Sequence, residues 1–578
     1  MKIKLWVSGV SIALLGLVLA GCGSQKSSQQ KTLNVTASQA MATADPDKAD
    51  DIVSQAAIAQ FMEGLYTTNQ KGKVVPAIAK KVVKPTNDGK TYTFNLRHNA
   101  KWSNGKKVTA ADFVYSLQRQ VDPNTKSQEV GHVAEIKNAT AITAGKKAVK
   151  TLGVKALGKY KLQITLKQRV PYFNYRLATE IYPLNKTFTE KYGNKYGTSA
   201  TKTLSNGPYV LKGWTGTNDT WKYVKNPYYY GHKQVKIKNV KVQTVKNNST
   251  AENLFQSDQV QVTQITGTQV SEAERGSLKS QLKITKLNQL YFMLWNQKRS
   301  ALQNTDLRRA VSYALNRQSL VKNILKDGSV AATSLVPSGN TTNPTTDKDF
   351  NTDTGNLYPY SPAKAKQYWK KAQASLGNQK LTLQLLTNDN DINKSVAEYI
   401  QAAIQKNLKG VTVNVKSVPL TNEISTLSKG DFDFATLSWS SDFQDPIDFL
   451  NKASMTNSVN FGKFNNAKYE KLISTITADK QSTKARYQTM QQAAKLVAQE
   501  QGVTPIYQTS AAHLISKKSV AYTSPCCGIR FIGTLIGNST LCGANTTLRS
   551  FRSFKSEASE VPTLNHNAIQ VYAPEWRF

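Results

Sequence analysis

The chain has 578 residues, with 76 Lys plus Arg against 37 Asp plus Glu and a formal net charge of +39. Hydrophobic residues at 39% and aromatics at 9% exclude a globally disordered chain, and the length accommodates roughly three to four domains. So large a charge asks for a polyanion, an anionic surface or an unusual habitat, and nucleic acid is the commonest such partner.

The first residues argue against nucleic acid. Lys2 and Lys4 precede an uncharged run of sixteen residues, 5–20, too short to span a bilayer comfortably. It ends in Leu19-Ala20-Gly21-Cys22, which resembles a bacterial lipobox. Residues 1–21 then read as a lipoprotein signal peptide and Cys22 as the lipid-attachment residue; a plain signal peptide with a chance cysteine is the alternative. Residues 23–31 are polar and suit a flexible tether. The remaining cysteines are Cys526, Cys527 and Cys542, so a body of about 500 residues lies between them and Cys22 without disulfide or thiol chemistry. These features place the body on the extracellular face of a cell membrane, lipid-anchored, as in a Gram-positive type bacterium. The charge, about +37 after cleavage, then suits anionic lipid head groups and wall polymers.

Along the body, strand and helix signals alternate. Asn87-Asp88-Gly89 reads as a turn, and Gly89-Lys90-Thr91 is no phosphate loop, because the glycine needed five residues earlier is Lys84. Tyr92, Phe94 and Leu96 alternate as a half-buried strand. A helix is expected over 109–120, with Thr109 and Asp112 in a capping-box pattern. Leu162, Ile164 and Leu166 mark another strand. Leu307, Ala310, Val311, Ala314 and Leu315 sit at helical spacing after Thr305, a candidate cap. Ser361-Pro362 opens a helix that Gly377 closes. Residues 381–418 form the clearest unit: Leu381, Leu383 and Leu385 as a strand, Ser395 and Glu398 as the capping box of a helix ending near Gly410, then Val411, Val413 and Val415 as a second strand. The fold class is therefore mixed α/β, in which ligands sit at crevices outside strand ends.

Catalytic and metal patterns are missing. His98, His132, His232, His513 and His566 are isolated, and the sequence contains no HExxH, CxxC, GxSxG or GxGxxG. The expectation is a protein that is not an enzyme and that uses no cofactor and no metal.

Residues 88–123 read DGKTYTFNLRHNAKWSNGKKVTAADFVYSLQRQVDP. This segment resembles the core signature of the extracellular solute-binding proteins that serve oligopeptide, dipeptide and nickel ABC importers (family 5). Further matching segments follow in order: Ser205-Asn206-Gly207-Pro208-Tyr209 before Trp214, Lys225-Asn226-Pro227 before Tyr228 to Tyr230, Asp306-Leu307-Arg308-Arg309-Ala310 leading to Ala314-Leu315-Asn316-Arg317, and Trp439-Ser440-Ser441-Asp442-Phe443-Gln444-Asp445-Pro446. The resemblance covers about residues 32–524. Taken singly, Trp102 and the three tyrosines read as core or surface residues and the Gly turns as ordinary turns.

The resemblance implies a two-lobed, clam-like periplasmic-binding-protein fold with an extra domain, three domains in all. The first lobe would be 22–62, 187–287 and 510–524, the extra domain 63–186 and the second lobe 288–509. It implies capture of oligopeptides and their delivery to the permease subunits of an ABC importer, by a monomer. The carried-over ligand residues are Asp442 for the peptide α-ammonium, Trp439 as a pocket wall, and Asp50 and Ile52 on the first lobe; a turn-capping role is the alternative for Asp442. Where family members place basic side chains against the peptide C-terminus, this chain has the neutral residues Thr436, Ser428 and Asn393, and Met293 replaces an acidic pocket residue. Longer or more apolar peptides are therefore expected. Alternative functions are a binder of a specialised ligand (a signalling peptide, murein peptide or haem) on the same fold, or a basic surface adhesin; nickel and hydrolysis are disfavoured by the missing constellations. Residues 525–578 do not resemble the family, hold three of the four cysteines, and contribute only five Arg/Lys against three Asp/Glu. A frameshift or read-through accounts for them, with a genuine extension as the alternative.

Overall fold

The computed structural model describes residues 32–69, 72–377, 380–441, 443–478 and 480–517. The signal segment, Cys22, Asp442 and the atypical tail with its three cysteines lie outside the described residues.

The strands in chain order are β1 Thr32–Ala37, β2 Tyr66–Thr68, β3 Val74–Pro76, β4 Thr91–Asn95, β5 Val154–Gly158, β6 Lys161–Thr165, β7 Tyr209–Lys212, β8 Thr220–Lys225, β9 Asn239–Thr244, β10 Val262–Ile265, β11 Leu282–Trp295, β12 Val330–Ala331, β13 Leu381–Asn388, β14 Val411–Val418, β15 Phe434–Ser440 and β16 Val503–Ile515. Eleven of them join one sheet in the order β14-β13-β15-β11-β16-β10-β1-β9-β8-β7, with β12 paired to β16 off this path. One end of the sheet is an α/β unit in which β13 runs parallel to both β14 and β15. At the other end β1 runs parallel to β9 and β10.

Among the described residues, the two ends of the sheet are joined through β11 and β16, its longest strands at 14 and 13 residues. Their antiparallel ladder has two stretches. Leu282–Lys286 pairs beside β10, and Leu290–Leu294 pairs beside β15, with a register shift between Lys286 and Leu290. There the Gln508 amide donates to Leu287 O at 2.8 Å and to Ser338 O at 2.9 Å, replacing lost ladder bonds with side-chain ones. An irregularity of this kind between two packed halves is a natural place for a bend.

A separate three-stranded sheet, β4-β6-β5, carries the helix Ala110–Val121. The expected cap is present: the Asp112 carboxylate accepts from Thr109 N at 2.7 Å and from its hydroxyl at 2.8 Å. Tyr92, Phe94, Trp102 and Phe173 are buried in its core. Tyr228 is 44% exposed while Tyr229 is buried, so the tyrosine run divides between surface and core. Asn87, Asp88 and Gly89 all have positive φ, the left-handed conformation that suits Asn, Asp and Gly in a turn.

Two helix starts differ from expectation. The helix Asp391–Asn407 begins four residues before Ser395, because the Asn390 side chain accepts from Asn393 N and caps it first. Ser395 and Glu398 are therefore interior. Asn304, not Thr305, caps Thr305–Ala314, accepting from Leu307 N. The helix Pro362–Ser375 starts as expected, with Ser361 as cap and Gly377 at φ +75° just past its end.

Candidate functional site

Trp439 lies on β15, 4% exposed, opposite Leu290 of β11. It lines a narrow apolar pocket with Phe292 and Leu294 of β11, Leu335, Leu437, Phe449, Val459, Phe461 and Val503, together with one charged residue, Lys452. The Lys452 ammonium sits 3.4 Å from the Trp439 ring centroid and 3.4 Å from Asp448 Oδ1. Both partners of that ion pair are buried, at 7% and 2% side-chain exposure. Neither Asp50 nor Ile52 lines this pocket.

β15 runs into the loop that contains Asp442, which lies outside the described residues. Its flanks are firmly held. Ser441 N donates to Asn288 O at 2.8 Å, tying the loop to β11 at the register break. The Ser441 hydroxyl donates to Phe443 O. Asp445, three residues on, accepts from Ile447 N and takes both guanidinium nitrogens of Arg486, at 2.7 and 3.1 Å. Asp445 thus caps the turn at Ile447.

The same loop meets the region of the small sheet. The Phe443 ring stacks on Tyr172 with centroids 3.5 Å apart and planes 7° from parallel. Arg176 lies 5.7 Å from each ring. Tyr172 packs against both the core containing Phe94 and the core containing Trp439. Burial and then the neighbouring Glu135 carboxylate push its hydroxyl upward in pKa. Gly72, at φ +72°, also comes close to this loop: a Cβ there would stand 2.8 Å from the Gln444 amide, and its left-handed backbone favours glycine.

Asp50 is half-buried beside Asp51, which caps the helix Ile52–Phe61 by accepting from Ser54 N at 2.8 Å. Burial raises the Asp50 pKa, its own backbone N–H opposes, and the charges of Asp51 and Glu129 add to the rise. Ile52, the first residue of that helix, is 38% exposed. Among the matched neutral positions, Thr436 is buried, and its hydroxyl accepts from Tyr291 at 3.0 Å and donates to Thr387 at 2.8 Å within the sheet. Ser428 is exposed on the helix Leu420–Lys429, and Asn393 is half-buried in the first turn of Asp391–Asn407. Met293 is fully buried against the helices on one face of β11.

Lys452, Asp448, Tyr172 and Phe443 were not singled out by sequence reasoning. The i,i+4 spacing of Asp448 and Lys452 is a local signal for their ion pair. Nothing local points to the indole above it or to the stack.

Comparisons with known proteins bear on this geometry. Residues 73–461 match the model of the bacterial extracellular solute-binding proteins, family 5 (middle region). The chain is 36% identical to a dipeptide-binding protein of Lactococcus lactis over 81% of this chain and 86% of that protein. It is 30% identical to the oligopeptide-binding protein OppA of Bacillus subtilis over 87% and 94%. Among solved structures, Listeria monocytogenes OppA bound to peptide superposes with a TM-score of 0.66 at 34% identity, covering 84% of this chain and 95% of that one. The unliganded open form of the murein tripeptide-binding protein MppA gives 0.73 at 28%, covering 84% and 93%. The two-lobed α/β fold is that of these neighbours, and the chain belongs to the bacterial extracellular solute-binding proteins, family 5.

Proposed function

We propose that this chain is the peptide receptor of an ABC importer, tethered at Cys22 to the outer face of the membrane, and that it captures oligopeptides between two lobes and hands them to the permease. The observation that carries the reading is the arrangement of β11 and β16: two long strands, broken in register midway, join the two halves of the sheet among the described residues, and Trp439 and Ser441 stand beside the break. The peptide-binding names of the relatives support it. The higher score to the open MppA form supports reading the lobes as open here.

In this reading the first lobe is 22–62, 187–287 and 510–524, the extra domain 63–186 and the second lobe 288–509. An extended peptide offers the same backbone donors and acceptors whatever its sequence, so pairing with them gives affinity without side-chain selection. Asp442 meets the α-ammonium, Trp439 bounds a side-chain pocket, and Asp50 and Ile52 face the peptide backbone from the first lobe. With neutral residues at 393, 428 and 436, ligand length is not set by a cation clamping the carboxylate, and longer or apolar peptides are accommodated. The remaining surface charge suits an anionic envelope.

Native mass spectrometry of the purified protein should find retained peptide, and calorimetry with a series of increasing length should show no sharp optimum at three residues. Asp442→Ala should cost roughly 2–5 kcal/mol of peptide affinity, the penalty of an ammonium buried without its partner. Unchanged affinity would remove Asp442 from the site. Salt-sensitive binding of wall polymers with indifference to peptides would favour an adhesin instead.

A further inference from the structure

One end of the large sheet carries its charge in an ordered way. Residues 191–251 hold eleven lysines and a single acid, Asp219. Three of the lysines stand side by side across adjacent strands: Lys212 of β7 pairs with Lys222 of β8, and Lys222 pairs with Lys241 of β9. Residues paired directly across antiparallel strands project from the same face. All three are exposed, while their neighbours Leu211, Trp221, Tyr223, Val240 and Val242 are buried on the opposite face. Strand spacing sets the three stems about 5 Å apart, and like charges directly opposite destabilise a sheet. No ion pair among the described residues offsets the row. An external anion would.

The chain itself indicates which anion. Lys241 lies opposite Asn34 of β1, and β1 begins at Thr32, ten residues after Cys22. Ten residues reach at most about 35 Å, so a lipid on Cys22 keeps the start of β1, and the lysine row beside it, near the bilayer surface. The attraction acts within about 10 Å at moderate salt, and the tether supplies the high local concentration that brings the row into that range. Three exposed ammonium groups on a sheet face suit a planar array of head groups.

We propose that Lys212, Lys222 and Lys241 form a docking face for the anionic phospholipid head groups of the membrane that holds the tether. A lipid chain alone leaves the body free to swivel. A basic face as a second contact lays this end of the sheet against the bilayer and fixes how the receptor stands. The proposal rests on the tether at Cys22 in the functional reading and adds an orientation to it.

The test uses the mature chain from Cys22 onward, made without lipid, in cosedimentation with vesicles of phosphatidylcholine alone or of phosphatidylcholine and phosphatidylglycerol in equal parts. The wild type should bind the mixed vesicles only, and less as salt rises. The triple variant Lys212→Gln, Lys222→Gln, Lys241→Gln should lower the partition coefficient about 100-fold, roughly fivefold per lysine. Its melting temperature should not fall, since a repulsion is removed. A second triple variant, Lys366→Gln, Lys370→Gln, Lys380→Gln, loses the same charge from exposed positions at the other end of the molecule and should bind as the wild type does. Equal losses in the two triples, or a wild type that ignores the mixed vesicles, overturn the proposal. So does a wild type that binds lipid-free poly(glycerol phosphate) and no vesicle, which would assign the row to a polymer. If the first triple fails to fold, Lys222→Gln alone should cost about fivefold, and an unchanged partition overturns the proposal. Mass spectrometry of the protein extracted from cell membranes reads the tether separately: an unmodified Cys22 overturns that part of the functional reading, whatever the vesicles show.

Discussion

Two of the contacts that tie the region of the small sheet to the rest of the molecule are built differently. Toward the N-terminal loop, Arg119 from the helix Ala110–Val121 reaches Asp45 with two nitrogens, at 2.9 and 2.6 Å, and also pairs with Asp47. Asp45 and Asp47 are buried, Tyr196 lies 5.7 Å beneath the guanidinium, and Asp47 N donates to Asp45 Oδ1. Gly197 is pressed so close that a Cβ there would stand 2.4 Å from Asp45 N. Toward the second half, the contact is the Tyr172–Phe443 stack with Arg176 alongside. Directional charge-assisted bonds hold one geometry, whereas stacked rings can slide at small cost. If the halves move as the proposed function requires, the first contact acts as a fused joint and the second as a sliding one.

Breaking the fused joint should have the largest effect. Arg119→Leu leaves two buried carboxylates without their guanidinium and should destabilise the chain by about 3–5 kcal/mol in urea unfolding. A loss below about 1 kcal/mol would mean that the joint is held by packing instead. The stack should behave otherwise. A double-mutant cycle on Tyr172→Ala and Phe443→Ala should give a coupling of about 1 kcal/mol in stability. Unlike Arg119→Leu, these variants should change the radius of gyration that X-ray scattering reports with and without a binding peptide. Coupling as large as that of the charged joint would make both contacts rigid.

How much of this was legible in the sequence depends on the span of the contact. The Thr109–Asp112 cap, the Ser361-Pro362 start, the 87–89 turn and the strands at 381 and 411 are local, and the structure has them where the pattern put them. The start of Asp391–Asn407 was missed within a local window, because a run of Asn and Asp at 388–391 offers several competing caps and the side chain of Asn390 won. Arg119 with Asp45, Tyr172 with Phe443, and Lys452 over Trp439 depend on tertiary placement. Composition made Lys452 one more surface lysine in a basic chain. The residues around Trp439 drew attention through the family pattern, which says nothing of the lysine beside it.

The last test sharpens the fused joint itself, through pH. Burial pushes the Asp47 carboxyl up to about 7; Arg119 opposes this, and the charges of Asp45 and Glu129 add to it. In the unfolded chain the group titrates near its ordinary value, about 4. Between about pH 4 and 7 the folded chain therefore keeps a proton that the unfolded chain has released. Because the folded state binds more protons, this contribution to stability is fully present below pH 4 and is lost as pH rises through 7. Asp47→Asn resembles the protonated form. It should match the wild type below about pH 4 and exceed it by a margin that grows as pH rises to 7 and then levels off, whereas Asp45→Asn should be weaker than the wild type throughout. The difference between variant and wild type is the quantity to read, since other groups titrate in both chains. If Asp47→Asn were weaker than the wild type at pH 8, Asp47 would act as an ionised partner of Arg119, and the joint would gain strength with pH instead of losing it.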